Sequence, residues 1–144
     1  MHSSTVELDK QTMLTALIET FEPSKHSYDT CDTGLGWKAI CLIDKQLWFG
    51  SDAGMELPKN QLIKLSLELK DYQIELDVKG LYNPSWNNQL RKEQFKLEKA
   101  EIGYTLTGNF SDGAGAYSVQ WLIVNQGSIR IAIKGANCHG KLVQ

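Results

Sequence analysis

The stretch IKLSLELKDYQIELDV, Ile63–Val78, is the most regular in the chain. Ile63, Leu65, Leu67 and Leu69 alternate with Lys64, Ser66, Glu68 and Lys70. After Lys70-Asp71 the alternation resumes with Tyr72, Ile74, Leu76 and Val78. A period of two is the mark of a half-buried strand. Setting Leu69 opposite Tyr72 brings Leu67 to Ile74, Leu65 to Leu76 and Ile63 to Val78, all on one face. That is the register of an antiparallel hairpin.

Downstream, the pattern breaks over Gly80–Lys92, a loop that carries Tyr82 and Trp86 among Pro84 and several asparagines. Phe95 and Leu97, then Ile102, Tyr104, Leu106 and Phe110, restore the alternation. NFSDGAGAY, Asn109–Tyr117, follows. If Phe110 faces Tyr117, then Gly108, Leu106 and Tyr104 face Val119, Trp121 and Ile123. The apolar phase survives the crossing, so the stretch reads as a hairpin turn with positive φ at Gly113. The stretch Asn109–Tyr117 holds no Walker-type Gly-Lys pair, and Asp112 alone cannot build a calcium loop. After a turn at Asn125-Gln126-Gly127, Ile129, Ile131 and Ile133 complete the last strand, and residues 135–144 form a tail.

Upstream, Trp37–Ile43 and Gln46–Gly50 read as strands. Met13, Leu14, Leu17, Ile18 and Phe21 fall on one helical stripe, with Asp9 placed to cap and Pro23 to stop it. The expectation is therefore an α+β, β-rich fold. An amphipathic helix over 9–22 packs on a curved antiparallel meander sheet or sandwich of about eight strands, residues 37–134, within a single domain spanning 1–144.

The chain has 144 residues, 15 Lys plus Arg, 17 Asp plus Glu and a formal net charge of -2. It offers neither the basic footprint of a nucleic-acid binder nor an apolar run that suits a membrane helix. The N-terminus lacks the pattern of a signal peptide, which points to a cytoplasmic protein. Three cysteines, Cys31, Cys41 and Cys138, make no disulfide framework. Cys41 reads as a small buried hydrophobe, and reductant is expected to change stability little.

Candidate chemistry is sparse. His26, Cys31, Cys138 and His139 lack metal-site spacing, and no cofactor or catalytic residue is assigned. Glu75 and Asp77 belong to a charged strand face. Gly34-Leu35-Gly36 precedes a strand rather than a helix, and so is a loop lead-in. Tyr82 and Trp86 are the candidate partner-binding anchors, with Asp29 and Asp32 as a secondary acidic contact. The expected function is a non-enzymatic module that binds another protein, as a small bacterial immunity or inhibitor protein that neutralises a toxin or enzyme. The alternative is a carrier of a small apolar ligand.

Overall fold

A computed structural model describes residues 1–51, 54–85, 89–111 and 113–135. The segment expected to be helical, 9–22, instead forms strand β2 (Thr12–Thr20), which pairs in a hairpin with β1 (His2–Asp9). No α-helix occurs among the described residues; the only helical pieces are three-residue 3-10 turns. The α+β expectation is thus replaced by an all-β fold.

The reason is local and legible. Thr12, Leu14, Ala16 and Ile18 are the buried residues of β2, a period of two that the helical stripe concealed. Thr12, Thr15, Ile18 and Thr20 are β-branched and favour the extended chain. Ser4 and Val6 on β1 alternate in the same phase and give β2 a partner. Asp9 does not cap a helix: its Oδ1 accepts the Gln11 N–H at 2.9 Å and holds the hairpin turn.

Eight further strands follow: β3 (Tyr28–Asp32), β4 (Lys38–Ile43), β5 (Asn60–Leu69), β6 (Tyr72–Leu76), β7 (Phe95–Ala100), β8 (Gly103–Phe110), β9 (Tyr117–Val124) and β10 (Gly127–Gly135). They form two four-stranded antiparallel sheets, ordered β1-β2-β5-β6 and β10-β9-β8-β7, and a two-stranded ribbon, β3-β4. The two larger sheets face one another across a common core. Leu14, Leu65 and Leu67 of the first meet Leu106, Phe110 and Trp121 of the second in one cluster of buried side chains. Along one side the sheets nearly close. Trp121 Nε1 donates to the Asp77 carbonyl at 3.0 Å, Arg130 Nη1 to the Lys79 carbonyl at 2.7 Å, and Ser128 Oγ to the Glu75 carbonyl at 3.1 Å.

Both hairpins singled out in the sequence keep most of their expected register. Leu65, Leu67 and Leu69 pair with Leu76, Ile74 and Tyr72. Phe110, Gly108, Leu106 and Tyr104 pair with Tyr117, Val119, Trp121 and Ile123. Gly113 has φ +59 in a single 3-10 turn, while Asp112 lies outside the described residues. Gly108 has a steric role: a Cβ there would lie 2.8 Å from the Phe110 ring and 3.3 Å from that of Phe95.

Two expectations fail at bulges. Ile63 does not pair with Val78, because β6 ends at Leu76 and a register shift between Leu17 and Ile18 leaves Ile63 as an extra residue on β5. Leu62 takes the core position instead. On β10, Arg130 pairs with Trp121 and so occupies the inward register position. Ile129, paired with Leu122, is turned to solvent and is 61% exposed. Ile131 is the extra residue of the next register shift, and only Ile133 reaches the core.

The two ends of the sandwich differ. At one end every connection is a two-residue turn: Lys10-Gln11, Lys70-Asp71, Glu101-Ile102 and Asn125-Gln126. All the longer connections, 21–59 with the ribbon inside it, 77–94 and 111–116, open at the other end.

Candidate functional site

The long connections are organised around a second, smaller cluster of buried residues, Phe21, Ile43 and Tyr82, with Tyr28, Ile40, Trp48 and Leu57 packed on it. Phe21 follows β2, Ile43 ends β4, and Tyr82 lies in the connection after β6. Tyr82 meets both Phe21 and Trp48 edge-on, with ring centroids 5.6 and 5.8 Å apart. Loss of water and the nearby Asp44 carboxylate push its phenol up to about 12.

Asn83 ties three loops together. It sits at φ +48, and its Oδ1 accepts the N–H groups of Lys59 and Asn60 at 2.9 and 3.1 Å. Its Nδ2 donates to the Gly50 carbonyl at 2.8 Å. Gly50 itself has φ +124, and a Cβ there would lie 2.2 Å from the Tyr82 carbonyl oxygen. The backbone groups of Gly50, Lys59 and Asn60 are thus tied together through one side chain.

From this frame extends the β3-β4 ribbon. Its base is fastened by Asp44. Oδ2 of that residue meets His26 Nδ1 at 2.6 Å, and Oδ1 accepts the Ser27 N–H at 2.9 Å. The bond to His26 and that from Ser27 hold the Asp44 carboxyl below the ordinary aspartate range. Asp44 and Lys45 adopt φ +53 and +66, a tight turn normally left to Asn and Gly. The ring of His26 stacks on Phe21 at 4.3 Å.

The ribbon is cross-linked by a disulfide between Cys31 and Cys41. This corrects the sequence reading, in which Cys41 is a small buried hydrophobe and the three cysteines build no disulfide framework: Cys41 is bonded to Cys31. Pairing steps from Asp29–Leu42 to Thr30–Ile40, so Cys41 is the bulged residue, next to Ile40 and diagonal to Cys31. At the tip, Asp32 Oδ1 accepts the Gly34 N–H at 2.9 Å, and Leu35 is 78% exposed.

Between β4 and the sandwich lies an open groove of about 320 Å³, lined by Ala39, Ile40, Leu47, Trp48 and Ala116 among others. Trp48 is half-buried there, and its Nε1 donates to the Ile40 carbonyl at 2.9 Å. Leu47 (47% exposed) and Met55 (59%) add uncovered apolar surface at the same end.

The sequence-derived contact residues separate in space and in role. Tyr82 is 3% exposed, so its ring supports the site from beneath rather than presenting itself. Trp86 lies outside the described residues. Asp29 and Asp32 are both on β3; Asp29 pairs with Lys45 at 3.2 Å, and Asp32 holds the tip turn. Cys138 and His139 also lie outside the described residues, among which no metal-binding group of side chains is found. Leu35, Leu47 and Met55 were not singled out in the sequence. For Leu35 and Met55 the signal was a large apolar residue inside a Gly- or Pro-containing loop; Leu47 was hidden because Gln46–Gly50 reads as a strand, whereas it makes only isolated bridges. Comparison of the chain with protein-family models, curated proteins and solved structures finds no match.

Proposed function

We propose that this chain is a non-enzymatic protein-binding module that docks its partner on the ribbon end of the sandwich. One observation carries the reading. Every connection at the far end is a two-residue turn, whereas all the longer connections gather at one end, around a ribbon with exposed apolar residues. Loops held on a rigid scaffold are where recognition usually resides. Leu35, Leu47 and Met55 supply apolar contact, and Asp29, Asp32 and Glu56 supply a polar, acidic rim.

Filling of the interior favours this reading over a ligand carrier. Trp121, Phe110, Leu106 and Leu67 occupy the space between the sheets where an apolar ligand would sit. The residues with reactive side chains support it too, since His26 is engaged by Asp44 and Cys31 by Cys41. No helix among the described residues is long and apolar enough to cross a membrane. A small inhibitor that neutralises a toxin or enzyme by docking is the specific form of this function expected from the sequence.

The test is paired capture from native lysate, with wild type and a Leu35→Ser/Leu47→Ser variant as baits. Both residues are exposed, so the variant retains its fold. A partner held by the wild type and lost by the variant is the expected result. A partner retained equally by both refutes docking at the ribbon end.

A further inference from the structure

We infer that the Cys31–Cys41 disulfide is what orders the ribbon, so that the docking end is competent only when oxidised, a reading that rests on the docking function proposed above. From Asp29 to Leu42 no ribbon residue is buried, and the second core cluster reaches the base through Tyr28 and Ile43 and no further along β4 than Ile40 at its middle. An isolated two-stranded hairpin is marginal in water. The outer edge of β4 has two ties to its surroundings: Ile40 N–H donates to the Gly54 carbonyl at 3.0 Å, and Trp48 Nε1 donates to the Ile40 carbonyl. Among the described residues, no backbone bond is made along the outer edge of β3. Beyond Ile40, towards Leu35, the strands are held by each other and by the disulfide.

The bond is also placed where it can be cleaved. Cys31 is exposed on the edge strand, while Cys41 is half-covered. A thiolate of a dithiol reductant can attack Cys31 Sγ and expel Cys41 as a thiolate. The second thiol of the reductant then displaces Cys31. Two electrons and two protons pass to the protein, giving two thiols, and the reductant leaves as its own disulfide. Oxidising surroundings keep such a bond closed, and reducing ones open it. An oxidising setting is therefore the one in which the ribbon is held closed.

Hydrogen exchange read by mass spectrometry tests this on the full chain, with Cys138→Ser to prevent thiol exchange. The comparison is with and without dithiothreitol, and against a Cys31→Ser/Cys41→Ser/Cys138→Ser variant. Closing a loop as short as this one, with a sequence separation of 10, is expected to protect the ribbon about 100-fold. Reduction or substitution should therefore speed exchange in peptides covering Tyr28–Ile43 by about that factor. Peptides from β5, β6, β8 and β9 should be unaffected. Unchanged ribbon exchange in both reduced and substituted protein would overturn the proposal. So would equal loss of protection in the sandwich, which would make the bond a staple of the whole fold. No partner enters this readout, so its failure leaves the docking site standing and a failed capture leaves this result standing.

Discussion

Asn83 makes three side-chain hydrogen bonds from a left-handed backbone position, and they join the segments around Gly50, Lys59 and its own loop. Asn83→Ala removes all three and keeps the strained φ. A loss of about 2 kcal/mol in urea unfolding is expected, with the loss falling on the ribbon end. Asp44, Tyr82 and Tyr117 contribute to the pH response. The Asp44 carboxyl is lowered by its bonds from His26 and Ser27 N–H, so its contribution is present above the unfolded value near pH ~4 and is lost as pH falls through the folded one. Asp44→Asn should flatten the acid limb of a stability profile. Tyr82 and Tyr117 shift the other way, raised by burial. Their contribution is complete below pH ~10 and declines as pH rises beyond it. Tyr82→Phe should reduce that alkaline decline; a profile identical to wild type would show that the phenol is not shielded. None of this was legible in the sequence. Asn83 read as one loop asparagine among several, and the His26–Asp44 contact joins residues whose proximity only the folded ribbon creates.

At the scale of elements, β2 decides between the helical and the extended reading of the N-terminal segment. On a helix, Met13 belongs to the apolar stripe and Ala16 lies towards the opposite side. In β2, Ala16 is fully buried and Met13 is 39% exposed. Ala16→Lys should therefore cost about 3 kcal/mol or more, and Met13→Lys almost nothing. The reverse order of the two would restore the helix. Gly113→Val, at φ +59, should cost about 1 kcal/mol in the β8-β9 turn. The long strands were legible because they alternate without interruption: Leu65, Leu67 and Leu69 on β5, and Tyr117, Val119, Trp121 and Ile123 on β9. Legibility failed at the bulges, where Ile63 and Ile131 put the pattern out of phase by one residue. It failed at β2 because the five apolar residues fit the helical period, whereas of those within the strand only Leu14 and Ile18 fall on its buried face, and nothing local weighed β1 as a partner. The disulfide was missed because an odd cysteine count argues against a framework, yet one bond needs only two cysteines brought together by a hairpin.

At the scale of the molecule, one end is closed by short turns and the other carries the ribbon, the apolar groove and the exposed leucines. A sandwich filled by Trp121, Phe110 and Leu106 gives this end a stiff base, and stiffness limits the entropy lost on docking. The acidic and loop-borne character of the surface could be read in the sequence from Asp29, Asp32 and the interrupted alternation. Its true anchors could not, because exposure is a property of the assembled fold. The most direct test places a photo-crosslinking amino acid at single positions and exposes the protein to native lysate. Leu35 and Leu47 report the ribbon end; Lys70 and Gln126, in the two-residue turns, report the far end. Discrete adducts of the same protein from Leu35 and Leu47, with none from Lys70 or Gln126, are the result this account predicts. Adducts formed from the far end, with none from the ribbon, would contradict it.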